Sequence, residues 1–205
     1  MTTMSLRERH RRSVEGSAPR LRTRSRSWRL VPVGIGLVVV LLVATTGKLF
    51  VWPSPAAVPK HADAVMVLPG GDGDRLPRAV ALMGHGLAPI LILPGGSRPS
   101  WPAANALCTT AQRFQVIGCG LPDPGSVRGE ARLARDLAAQ YRLGLIVVVT
   151  SRSDLTRARL DFDRCLGAGF GMASSTSHAN PFTKVRRVAG EWYGWLSDAL
   201  LHRSC

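Results

Sequence analysis

A three-layer, Rossmann-like α/β domain with a mostly parallel sheet, preceded by one N-terminal transmembrane helix, is the architecture this sequence predicts. Three observations carry that reading. Short runs rich in Val, Ile and Leu recur at residues 63–68, 89–93 and 145–149, and each stops on small residues: Pro69, Gly70 and Gly71; Pro94, Gly95 and Gly96; Thr150 and Ser151. Amphipathic stretches separate the runs, the alternation expected of a parallel sheet covered on both faces. Ahead of them lies one apolar stretch, residues 30–52, which meets the roughly 20-residue requirement for a spanning helix. The small residues matter because ligands of open α/β sheets bind along the carboxyl edge of the strands.

The 205 residues are 45% apolar and carry a formal charge of +14, enough for one ordinary core and hardly for two. The charge is uneven. Residues 1–29 hold nine arginines against Glu8 and Glu15, so the chain has a basic tail rather than a basic domain. That tail has no groove-reading motif and no aromatic beyond Trp28, so nucleic acid is not an expected partner. Trp28 and Trp52 bracket the apolar run as interfacial anchors, and Lys48 is near enough to its end to snorkel. The arginines place the N-terminus in the cytoplasm and the remainder across the membrane. The sequence therefore predicts a single-pass cell-membrane protein that meets lipid through residues 30–52. A cleavable signal peptide, with Ala44 or Ala56 and Ala57 near the cleavage site, is the competing reading.

Residues 53–60 carry three prolines and read as a semi-rigid linker lifting the following domain, residues 61–205, off the bilayer. Within that domain the pattern predicts strands at 63–68, 89–93, 115–118 and 145–149 and a weak apolar segment near 169–173. Helices are expected at about 74–86, 102–113, 127–142, 153–166 and 184–201. The third of these has Leu133, Ala134, Leu137, Ala138 and Tyr141 on one side and Arg132, Arg135, Asp136 and Arg142 on the other. In the last, Val185, Val188, Trp192, Trp195 and Ala199 repeat at helical spacing; such a stripe reads as core, with Arg186 and Arg187 leaving a membrane-surface role open.

Cys108, Cys119, Cys165 and Cys205 all follow the apolar segment, an even count that suggests two disulfides in an oxidising compartment. Three pairings are possible; Cys108 with Cys119 and Cys165 with Cys205 is favoured because the first two are close in sequence and the second pair would pin residue 205. No zinc-type spacing is present, so no metal is expected, and no cofactor is identified.

Gly70, Gly71, Asp72 and Arg75 follow the first strand, where glycines admit a close ligand and the next helix start favours an anion. Asp74 reads as an N-cap. Gly95 and Gly96 open a second loop containing Trp101, a candidate lid. Ser126 fits an N-cap and Glu130 the first helical turn, where a carboxylate complements the dipole. Ser151, Asp154 and Arg157 open the next helix. An anionic small molecule at this edge is the expected ligand, bound by Gly70, Gly71, Asp72, Arg75, Gly95, Gly96, Arg128, Ser151 and Arg157. Glu130 and Asp154 are weak catalytic candidates.

The first strand from Asp63, the Pro-Gly-Gly after the second, Arg128-Gly129-Glu130-Ala131, Thr150-Ser151 with Arg157 to Leu160, and Glu191-Trp192 together resemble the YdcF/SanA/ElyC family of envelope-associated domains of unknown function. Cys119 before Pro122, with Arg164-Cys165, resembles its actinobacterial branch. The resemblance covers about residues 61–197. It implies a Rossmann-like domain, often behind one membrane anchor, connected with cell-envelope or peptidoglycan-precursor processes and, in some members, with vancomycin resistance or binding of S-adenosylmethionine. Two positions depart from the family pattern: Val127 stands where a threonine is usual, and Asp154 where Thr-Ser-x-x-His places a histidine. An exposed aspartate stays ionised and cannot exchange a proton near neutral pH as histidine does. The alternatives are thus an envelope protein with a working anionic or nucleotide-like site, and a catalytically degenerate member serving as a binding or assembly module. His178 is a possible stand-in for the missing imidazole.

Overall fold

The computed structural model describes residues 27–51, 57–70, 74–176, 181–200 and 204–205. The chain divides into two compact units, Met1–Val40 and Leu41–Cys205. Helix α1 (Ser27–Thr46) supplies all the described structure of the first and continues into the second, ending in a π-helical turn, Gly47–Val51. Over Val31–Phe50 the mean hydropathy is 2.2, so this one helix is long and apolar enough to cross a membrane. Its threonines do not interrupt it, since the Thr46 hydroxyl donates back to the Leu42 carbonyl at 2.6 Å.

The second unit is an α/β layer structure with five parallel strands: β1 (Ala64–Val67), β2 (Ile90–Ile92), β3 (Gln115–Ile117), β4 (Ile146–Ser151) and β5 (Phe170–Ser175), in the order β3-β2-β1-β4-β5. The helices between them are α2 (Arg75–Gly84), α3 (Pro102–Thr109), α4 (Val127–Tyr141), α5 (Leu155–Leu166) and α6 (Pro181–Leu200). The weak segment near 169–173 is thus a full strand, paired with β4 from Ile146↔Phe170 to Ser151↔Ser175. Its glycine, methionine and serines hid it, because β4 next to it supplies most of the apolar surface. Helices α2 and α3 end at Gly84 and Thr109, earlier than the apolar pattern runs, and a 3₁₀ turn, Arg152–Asp154, precedes α5.

Alternate residues of each strand feed two separate cores. Ala64, Met66, Ile92, Ile146, Val148 and Met172 pack with Ala134 and Leu137 of α4 and Phe162 of α5. Val65, Val67, Leu91, Val147, Val149 and Ala173 pack with Leu76, Ala79 and Met83 of α2 and Ala104 of α3. Tyr141, expected on the apolar face of α4, is 39% exposed because the helix reaches its left-handed C-cap at Arg142 one residue later. At the other edge the Asp63 carboxylate accepts from the Gly144 and Leu145 amides at 2.7 and 2.8 Å, tying the entry of β1 to that of β4.

The end of the apolar helix packs on the α/β unit. Phe50 is 2% exposed, with its ring centroid 5.3 Å from that of Trp192 in α6; the Trp192 indole donates to the Thr46 hydroxyl at 3.0 Å, and the Thr156 hydroxyl of α5 donates to the Leu49 carbonyl. Beyond residues 52–56, which lie outside the described residues, Val58 packs on the α2–α3 core and Pro59 lies 3.5 Å from where a Cβ on Gly171 would sit.

Two disulfides, Cys108–Cys119 and Cys165–Cys205, close the structure in the favoured pairing. The first joins α3 to the loop after β3 and lies behind Gly96, whose added Cβ would stand 2.8 Å from the Cys108 sulfur. Ser97 uses both its amide and its hydroxyl on the Cys119 carbonyl, at 3.1 and 2.9 Å. Eleven residues separate these cysteines, and loop-closure entropy makes such a bridge worth about 3 kcal/mol. Cys108→Ser with Cys119→Ser is expected to lower unfolding free energy by about that amount in a urea titration. A loss below about 0.5 kcal/mol would show that Ser97 and the packed loop hold the segment unaided.

Candidate functional site

Strand order β3-β2-β1-β4-β5 reverses direction between β1 and β4, the switch point outside which doubly wound sheets bind ligands. Arg75 occupies that position here. Its Nε donates to the Ser151 hydroxyl at 2.9 Å, Nη1 to the Leu68 and Pro69 carbonyls at 3.1 and 2.8 Å, and Nη2 to the Asp154 carboxylate. Asp154 also accepts from the Ser153 hydroxyl at 2.6 Å and is 8% exposed. One expectation is thereby corrected: Asp154 is a buried half of an ion pair rather than an exposed carboxylate. Arg75 is held by the protein's own carbonyls, hydroxyl and carboxylate at the rim of the cleft that it also lines. Sequence spacing cannot reveal this, because the partners are 79 residues apart.

Arg157 is likewise committed. Its Nε donates to Glu191 of α6 at 2.9 Å, and burial, which works against its charge, is more than offset by that carboxylate. Burial raises the Glu191 pKa, and Asp154 nearby adds to the rise. Ser151 serves Arg75. Arg128 is half-buried and its charge acts on Asp161, a buried α5 residue raised to about 6 by burial and by Asp198. Asp74 precedes α2 but its side chain makes no cap hydrogen bond. Ser126 does cap α4, accepting from the Gly129 amide at 3.4 Å.

The opening lies one strand over, between the loops after β1 and β2. It is a cleft of about 310 Å³ walled by Pro69, Gly70, Arg75, Leu76, Arg98, Ser100 and Trp101. Gly70 (φ +98°) and Gly95 (φ +65°) hold backbone conformations that suit glycine, and the Arg98 guanidinium folds over Gly95 where a side chain would stand. The Arg98 Nε is buried without a hydrogen-bond partner among the described residues. Arg98 and Ser100 are the cleft residues that sequence reasoning missed; a basic residue two positions after Gly96 is the same signal that singled out Arg75. Trp101 lines the cleft as the residue preceding α3. Gly71, Asp72 and His178 lie outside the described residues.

Glu130, in the first turn of α4, is 5% exposed, and its Oε2 has no hydrogen-bond partner among the described residues. Burial pushes its pKa up to about 7 against the pull of Arg75, Arg157 and Arg98, while Asp154 adds slightly to the rise. Capping explains a carboxylate at that position; it does not explain one so dry. A carboxyl that titrates near neutrality is suited to proton exchange, although Glu130 is not among the residues that line the cleft. The same burial has a pH signature. Below the unfolded value near 4.5 both states hold the proton; between about 4.5 and 7 the unfolded chain releases it first, so stability falls through that window and levels above it. Glu130→Gln is expected to remove this slope and to exceed the parent in stability at pH 8 by up to about 3 kcal/mol, with the two converging near pH 4. Parallel pH profiles for the two proteins would refute the shift.

Comparison with protein-family models, with curated proteins and with solved structures finds no match to this chain.

Proposed function

We propose that the chain is a YdcF-like envelope protein, anchored by α1 with its N-terminus in the cytoplasm and its α/β unit on the extracytoplasmic side, that binds an anionic or nucleotide-like small molecule at the carboxyl edge of the sheet. The apolar helix behind nine arginines and the two disulfides beyond it support the topology. One observation carries the ligand: Arg98, whose Nε has no hydrogen-bond partner among the described residues, lines a cleft with Gly70 and Trp101. Phosphate or carboxylate oxygens complement that donor, and a nucleobase or sugar ring complements the indole.

A catalytically degenerate module is the second reading, and the Arg75–Asp154 ion pair favours it over a working enzyme. The position where the resembling family has a titratable imidazole is locked in a buried charge pair here. Glu130, which burial pushes up to about 7, is a carboxyl suited to proton exchange near neutrality.

The full chain in detergent, disulfides intact, tests the ligand. Its thermal midpoint is compared with and without phosphorylated sugars, nucleotides, S-adenosylmethionine and lipid-carrier head groups. A ligand at a hundredfold excess over its Kd should add about 2.7 kcal/mol, and Arg98→Ala should remove the gain. No shift across the panel overturns the binding reading. Topology is read separately: a reporter fused after Cys205 should be active only outside the cytoplasm, and cytoplasmic activity refutes the orientation.

A further inference from the structure

Trp192 separates two faces of α6. At about 100° per residue, Val188, Trp195 and Glu191 lie to one side of it, the side on which Glu191 meets Arg157 of α5. On the other side Leu196, Ala189, Leu200 and Tyr193 fall within an arc of about 60°, with Arg186 at its margin. This second stripe is open to solvent: Tyr193 is 80% exposed, Leu200 61% and Leu196 43%, and Ala189 and Arg186 are exposed as well. It begins where the apolar helix ends, because Trp192 itself donates to the Thr46 hydroxyl and meets the Phe50 ring edge to face.

We propose that this face of α6 rests on the headgroup and acyl boundary of the membrane that α1 crosses, so that the domain meets lipid as well as being tethered to it. The inference depends on the membrane reading above and adds a surface to it. Leu196 and Leu200 supply apolar area, Tyr193 a ring that is apolar along its body and polar at its tip, and Arg186 a cation for lipid phosphate. Continuity selects lipid as the occupant. Leu41, Leu42 and Val43 are exposed one turn before Thr46, so the chain enters the apolar phase within a turn of its contact with Trp192.

The test uses the full chain in nanodiscs of phosphatidylethanolamine and phosphatidylglycerol carrying a radiolabelled lipid. The photoreactive residue p-benzoylphenylalanine replaces Tyr193, Leu196 or Leu200 singly. Leu37 of α1 is the reference for lipid contact, and Val80 of α2, exposed on the opposite face of the sheet, is the background. These are exposed positions, and non-reducing electrophoresis verifies that each variant keeps its disulfides. Lipid labelling from the three α6 positions several-fold above that from Val80 is the expected result. Labelling from Leu37 alone overturns the α6 contact while leaving the span intact. Adducts between two protein chains from the α6 positions overturn it in favour of self-association. Failure at Leu37 as well overturns the span and the surface together.

Discussion

Arg75→Met is expected to destabilise the α/β unit by about 3–5 kcal/mol, the cost of removing one member of a buried ion pair. The guanidinium is 5% exposed and serves two carbonyls at the end of β1, a hydroxyl at the end of β4 and a carboxylate in the turn before α5. Methionine fills much of the volume but leaves Asp154 charged and dry. Most of the loss therefore belongs to the abandoned carboxylate, and Asp154→Leu in the Arg75→Met background should recover more than half of it. Arg75→Lys should not rescue, since one ammonium cannot fork to partners on three segments. Urea titrations of the parent, Arg75→Met, Asp154→Leu and the double variant measure the cycle, with Arg75→Lys run beside them. A single-mutant loss below about 1 kcal/mol would place the pair among solvated ones and remove its structural role.

Gly129→Ala should cost about 4 kcal/mol or more, a magnitude reached by few single substitutions. A Cβ at this position would stand 1.8 Å from the Pro124 carbonyl oxygen and within 3 Å of two further backbone atoms of Pro124. Backbone on both sides means that no rotamer change relieves the overlap; either the 122–126 loop or the first turn of α4 has to move. The Ser126 amide donates to that same Pro124 oxygen at 2.7 Å, so the loop is fastened where the new methyl group would push. Ser126→Ala, which removes only the weak cap, should cost about 1 kcal/mol and serves as the comparison. Melting curves of Gly129→Ala that overlay the parent would contradict the close approach. This glycine also accounts for the Gly in Arg128-Gly129-Glu130-Ala131: it brings the loop down over α4 and keeps Glu130 out of water.

The sheet was legible because β1, β2 and most of β4 are apolar runs with no polar interruption, and chain proximity pointed to the Cys108–Cys119 bridge. Strand β5 was faint because Gly171, Ser174 and Ser175 let it lie against β4 with little apolar content of its own. At the site, local grammar succeeded where partners are local: Ser126 caps α4, and Gly70 and Gly95 take positive φ. It failed for Arg75, Asp154 and Arg157, whose roles are set by contacts across 79 and 34 residues. Arg98 was overlooked because an arginine in a Gly-Ser-Arg-Pro loop looks solvated until the chain folds it back over Gly95.

The sheet partitions the unit into two cores that share no side chains. Arg75 belongs to the helix that walls the cleft; Asp154 stands two residues before Thr156, which holds the Leu49 carbonyl at the end of the apolar helix. The end of the apolar helix is held at two places in this unit, by Thr156 just after the turn at residues 152–154 and by Trp192 of α6, and the ion pair joins the first of these to the helix that walls the cleft.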